Sequence, residues 1–213
     1  MALLMIALIV AGFGGRALAR GETSPPAPAI LIPHAICIGA WYLLFLLQAA
    51  WIGRRRLRLH RAIGYASPLL AVAVLWTGVA IMAANYRLKG NAPLVFFNAL
   101  NLTQFAGLFS AAIATVRRPA VHKRLMLYAS IAMLPPALVR LVQALGLPDA
   151  TAVLPIIALW LPGPCHDRRT LGRVHGATWI GIGVIAFGVV IGGPIGFSTG
   201  WAELVERWFG TGS

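Results

Sequence analysis

LHRAIGYASPLLAVAVLW (59–76), VHKRLMLYASIAMLPPAL (121–138) and VHGATWIGIGVIAFGVVI (174–191) are three stretches of one kind. Each follows an arginine pair, carries a histidine at its second position and then turns apolar. The pairs are Arg54-Arg55, Arg117-Arg118 and Arg168-Arg169, and the histidines are His60, His122 and His175. The first two stretches also share Tyr-Ala-Ser, as Tyr65-Ala66-Ser67 and Tyr128-Ala129-Ser130. Cations packed just before a long apolar run mark the place where a helix enters a membrane. Three such marks predict three helical hairpins turning on one side of a membrane, each presenting a histidine there.

The rest of the chain agrees with that class. Hydrophobic residues make up 59% and charged residues 11%, and the mean hydropathy is +0.81, which takes the chain out of the range of soluble domains. A helix needs about 20 mostly apolar residues to cross the hydrocarbon. Seven segments qualify, at about 2–19, 30–52, 61–84, 93–116, 121–146, 150–164 and 172–192. The sixth is short and contains Pro155 and Pro162, so a tilted or broken helix is expected there. The expected fold is therefore all-α: an integral membrane bundle of seven transmembrane helices over 1–197, closed at Gly192-Gly193-Pro194, with an amphipathic helix and tail over 198–213. In STGWAELVERWF (198–209), Trp201, Leu204, Val205, Trp208 and Phe209 fall at helical spacing, with Glu203, Glu206 and Arg207 on the other face. That pattern predicts an interfacial anchor capped by Ser198 or Thr199.

A net charge of +13 on a soluble domain would point to nucleic acid. Here twelve of the eighteen Lys and Arg lie in the short loops 53–61, 117–124 and 168–173. Short basic loops stay cytoplasmic, so the expected setting is a bacterial inner (plasma) membrane, with the N-terminus cytoplasmic and the C-terminus periplasmic. The expected partners are the bilayer, its anionic lipids and other membrane subunits; nucleic acid is not among them. Ala17-Leu18-Ala19 resembles a cleavage site, but no basic residue precedes the first apolar run, so that run reads as helix one. GETSPPAPAILIP (21–33) reads as an outer loop. Cys37 and Cys165 fall on opposite sides of the membrane and cannot pair within one chain.

His60, His122 and His175 all begin helices at similar depth, where the helix dipole and neighbouring arginines favour neutral imidazole, the form that ligates metal or haem iron. Pro164-Cys165-His166-Asp167 adds further donors between the sixth and seventh segments. Two chemistries suit this set: a b-type haem held by two of the histidines, or a divalent metal such as zinc held by His60, His122, His175 and Asp167. Interfacial histidines also serve as helix caps and headgroup contacts.

A second polar group lies towards the other side. His34, Trp41 and Gln48 recur every seven residues and so share one helix face, and Asn98, Asn101, Thr103 and Gln104 crowd two turns of the fourth segment. An arginine inside an apolar segment must face the bundle, an anion or water, and Arg140 is such a residue. His34 and Arg140 are therefore candidate cofactor contacts, for a quinone head group, a haem propionate or an anionic lipid. Gly181, Gly183, Gly188, Gly192 and Gly193 predict close helix approach. With five acidic residues in the chain and none at mid-membrane, a carrier driven by a buried carboxylate is not expected.

From His34 to His175 the chain resembles a family of uncharacterised bacterial multi-pass inner-membrane proteins. The matching pieces are His34…Trp41-Tyr42-Leu43-Leu44…Gln48, Leu59-His60-Arg61…Gly64, His122-Lys123-Arg124-Leu125-Met126 and Gly172-Arg173-Val174-His175-Gly176-Ala177-Thr178. The first segment departs from it, with Gly14-Gly15-Arg16 in place of aromatics. More distantly, His-Arg-x-x-Gly and His-Lys-Arg-x-Met resemble b-type cytochromes and small membrane proteins of terminal oxidase assembly. That likeness implies a redox cofactor, haem b first. The alternatives are a non-catalytic accessory subunit of a larger respiratory or photosynthetic complex, and a metal-dependent membrane hydrolase.

Overall fold

The computed structural model describes residues 1–15 and 28–210. The end of the first expected segment, with Ala17-Leu18-Ala19, Arg16 and Arg20, the outer-loop stretch 21–27 and the tail 211–213 lie outside the described residues. Every regular element among those described is helical.

Helix α1 (Ala2–Ile9) runs into one π turn, Val10–Gly14, and is short for a membrane crossing. Four helices are long and apolar enough to cross: α2 (Leu31–Gly53), α4 (Ser67–Lys89), α5 (Ala92–Ala114) and α10 (Gly176–Gly196). Between α2 and α4 lies the short helix α3 (Leu57–Gly64). Helices α6 (Pro119–Ala132) and α7 (Pro135–Ala144) together make a fifth candidate, bent by 41°. The bend falls where Pro135-Pro136 removes two successive N–H donors, so the α6 ladder cannot run on. Length and composition thus give four spans, or five with the bent pair, where the sequence suggested seven.

The expected sixth segment is broken, as its prolines require. A 3-10 turn (Asp149–Ala152) and the two-turn helix α8 (Val153–Ala158) precede α9 (Pro162–Leu171). The seventh runs further than expected. Helix α10 continues through Pro194 to Gly196 because Gly192 seats the Phe97 ring and Gly196 the Phe96 ring, which hold the last turn in place.

Helix α5 is the centre of the bundle, packed against α4, α6 and α10, while α2 covers α4 and α1. The core forms where the Trp41 ring of α2 meets Phe105 and Phe109 of α5 edge-on, at 4.8 and 5.4 Å. The glycine stripe of α10 splits in two. A Cβ on Gly181 would strike the Tyr128 ring and one on Gly188 would strike Gln104, whereas Gly183 and Gly193 meet nothing. Close approach therefore belongs to 181, 188 and 192, which lie on one face of the helix.

The C-terminal helix α11 (Thr199–Phe209) is capped by Ser198, whose Oγ accepts from Trp201 N at 3.2 Å. Its apolar face packs mainly on protein. Val205 is fully buried among Met82, Tyr86, Ala92 and Val95, with Trp201 and Phe209 beside it. Tyr86 donates to Glu206 Oε2 at 2.5 Å, and Trp201 Nε1 donates to the Ala92 carbonyl at 2.9 Å. Trp208 alone of its large apolar residues stays well exposed. The helix thus closes the corner between α4 and α5.

Candidate functional site

The face of α2 that carries His34, Trp41 and Gln48 is a ladder with one rung to each of three helices. His34 Nδ1 lies 3.2 Å from Thr77 Oγ1 on α4, and Trp41 Nε1 donates to Ser130 Oγ on α6 at 3.3 Å. Gln48 reaches α3: with its amide oxygen turned to the Gly64 N–H at 3.3 Å, its nitrogen donates to the His60 carbonyl at 3.1 Å and to His60 Nδ1. The seven-residue spacing thus marks a tie between helices. Beside Trp41, Tyr42 donates to the Ser130 carbonyl at 2.7 Å.

The starts of α3, α6 and α10 gather at one end of the bundle, as the three histidine stretches predict. His122 lies close enough to His60 that its charge opposes one on the His60 ring. Burial first, then His122 and Arg61, hold the His60 imidazole below its usual value. His122 Nδ1 lies 2.8 Å from the Ala112 carbonyl oxygen. A carbonyl only accepts, so this nitrogen donates and the Nε2 lone pair is left over. On His60 the roles are reversed: Nδ1 accepts from Gln48, so the neutral ring carries its proton on Nε2.

His175 has a third role. Its Nδ1 accepts from the Ala177 N–H at 3.0 Å, so the ring caps α10. The capping tautomer leaves the proton on Nε2, the nitrogen a metal or haem iron would take.

Asp167, 1% exposed, is held from three sides. Arg124 Nε lies 3.0 Å from both carboxylate oxygens and its Nη2 donates to Oδ1. Thr178 Oγ1 donates to Oδ2 at 2.5 Å and the His175 N–H at 3.1 Å. The Arg124 hydrogen bond is the main reason the carboxyl lies well below the usual carboxylate range, with Thr178 and His175 N adding to it against the opposing effect of burial. Arg124, counted in the sequence as a loop cation, is 5% exposed and is a buried structural charge. Its pairing was detectable in one respect: Asp167 is the sole acid among the basic loops, and a buried acid needs a cation.

The four side chains offered as metal ligands are thus His60 and His122 near one another, His175 as a helix cap and Asp167 in an ion pair. Among the described residues no three His, Cys, Asp or Glu side chains group to hold a metal ion. Cys165 and His166 are exposed, and Cys37 packs against the core. On the far side, Arg140 lies over the Phe13 ring at 4.6 Å and donates to the Pro136 carbonyl at 2.8 Å. Of the fourth-segment amides, Gln104 donates to the Val184 carbonyl of α10 at 3.0 Å, an ordinary interhelical tie.

No family model matches the chain, and neither a curated protein nor a solved structure matches it.

Proposed function

We propose that the chain is a non-catalytic subunit of a larger assembly in the bacterial plasma membrane, seated by its basic loops on the anionic cytoplasmic leaflet. The observation that carries this reading is the use to which the candidate ligands are put. Asp167, His175 and His60 each complete a contact within the chain, to Arg124, to the Ala177 N–H and to the Gln48 amide. Groups engaged in this way hold helices together and are not presented to a substrate.

Seven crossings, with the N-terminus cytoplasmic and the C-terminus periplasmic, fit the same contacts. Arg124 opens α6 and Asp167 lies in α9, so the chain returns to its starting end between residues 144 and 167. That return supports a crossing by the broken stretch 150–164, and the first apolar segment, 2–19, of which α1 is the start, would be the seventh. The eleven exposed loop cations then lie at the cytoplasmic surface, with Arg124 buried just beneath.

A second reading, haem b, has one observation in its favour: His60 and His122 lie near one another, and His122 Nε2 has the lone pair that iron takes. The donor set fits at His122. At His60 it fits only after the Gln48 amide turns its oxygen to Nδ1 and gives up its bonds to the His60 carbonyl and the Gly64 N–H. The haem would supply one-electron transfer. A metal-dependent hydrolase would have to draw on His175 and Asp167, both already engaged.

Absorption spectra of the detergent-purified protein, oxidised and dithionite-reduced, separate the readings. The proposal expects no Soret band, and His60→Ala and His122→Ala variants that still fold. A Soret band that sharpens on reduction and disappears in His122→Ala overturns it in favour of haem.

A further inference from the structure

We propose that the turn at residues 54–59 binds the headgroup of an anionic phospholipid that carries two phosphates. The proposal rests on the reading that the basic loops face the membrane surface. Helix α2 ends at Gly53 and α3 begins at Leu57, so the turn between them is Arg54-Arg55-Arg56. It is fixed by its backbone: Arg54 N–H donates to the Ala50 carbonyl, Arg55 N–H to Ile52 and Arg56 N–H to Trp51, at 3.0, 3.0 and 2.8 Å. Arg55 takes a left-handed φ of 57°, uncommon for a residue with a Cβ.

An open cavity of about 430 Å³ lies on this turn, lined by Arg55, Arg56, Leu57, Arg58 and Leu59. It is a shallow depression open to the surface, a shape that suits a headgroup arriving from the surface rather than a buried ligand. No carboxylate among the described residues lines the cavity. Every carboxylate among the described residues is engaged elsewhere: Asp167 with Arg124, Glu203 with Arg207, Glu206 with Tyr86 and Asp149 with Gln143. Arg54, Arg55, Arg56 and Arg58 are all exposed. Guanidinium groups pair with phosphate oxygens in bidentate fashion, and several of them exceed what one singly charged phosphodiester can neutralise.

The lining also separates a lipid from a free anion. Two leucines alternate with the arginines, and Leu57 is 47% exposed. Ile63 and Tyr65, at the far end of α3, are exposed as well. Apolar groups beside a cationic cavity suit a molecule with phosphates and acyl chains together.

The test uses the full chain with vesicles of phosphatidylcholine alone, with added phosphatidylglycerol, or with added cardiolipin at matched charge. The variant is Arg55→Gln with Arg56→Gln and Arg58→Gln; the control removes charge from another loop of the same face, Arg117→Gln with Arg118→Gln. We expect the triple variant to lose about a hundredfold in cardiolipin binding and the control far less. Unfolding in neutral detergent should be unchanged in both, because the replaced side chains are exposed. Equal loss in the two variants overturns the site in favour of diffuse attraction. Inorganic phosphate that displaces the lipid at equal occupancy overturns the lipid and leaves a phosphate site. Wild-type protein that binds no anionic vesicle defeats the reading of the basic face itself, whereas a triple variant that binds as well as wild type defeats the turn alone.

Discussion

The two copies of the histidine and Tyr-Ala-Ser pattern end in opposite environments. In the first copy Tyr65 is 84% exposed, and Ser67 only bonds back to the Gly64 carbonyl at 2.7 Å. In the second, Tyr128 is fully buried and donates to the Trp160 carbonyl at 3.0 Å, while Ser130 accepts from Trp41. The basic residues diverge too, with Arg61 exposed and Arg124 buried on Asp167. The cause is spacing. Tyrosine follows histidine by five residues in the first copy and by six in the second, and one residue turns a helix by about 100°. The first copy also breaks at Gly64, where α3 stops, while the second runs on as one helix. A repeat in composition therefore carries no repeat in role unless its register is kept.

The comparison predicts that damage falls almost wholly on the second copy. Arg124→Leu or Asp167→Asn leaves a buried partner uncompensated and should cost about 3–5 kcal/mol, read as detergent unfolding, while Arg61→Leu changes nothing measurable. Asp167 also has an acid signature. Its folded value lies below the unfolded one, so its stabilisation is present above about pH 3.9 and is lost as pH falls through the folded value. Gly181→Ala comes next. Its new methyl group meets the Tyr128 ring and should cost about 1–3 kcal/mol, whereas Gly183→Ala, with nothing near it, should be silent.

A third test separates cap from ligand. His175→Ala should cost about 1 kcal/mol and His175→Asn should recover most of it, because asparagine also caps; loss in both would remove the capping role. The smallest effect belongs to the first copy. The His60 value is lowered, so below about pH 6.5 the unfolded chain takes up a proton that the folded one resists. Stability should decline gently as pH falls through about 6.5 towards the lowered folded value, and His60→Gln should flatten that slope.

Helix-level features were legible because they are local. Apolar length marked α2, α4, α5 and α10, Pro155 and Pro162 marked the break in the sixth segment, and the seven-residue spacing put His34, Trp41 and Gln48 on one face. The break at Pro135-Pro136 falls inside a stretch, 121–146, that reads as one helix by apolar length. What each rung meets was not legible, because Thr77, Ser130 and His60 come from three other elements. Burial of Arg124 was hidden for the same reason, since its partner is 43 residues away. The extent of α10 past Pro194 depends on Phe96 and Phe97, which periodicity within α10 cannot reveal.

The separation of Arg124 from Asp167 has a consequence for biosynthesis. Ribosomes add about 5–20 residues per second, so seconds pass between the emergence of the guanidinium and that of the carboxylate that will neutralise it. During that interval the unpaired cation needs water or headgroup phosphate. It sits at the bundle end where the arginine pairs gather, which on the proposed membrane seating supplies both; a few turns deeper in α6 the same residue would then wait for its partner in hydrocarbon.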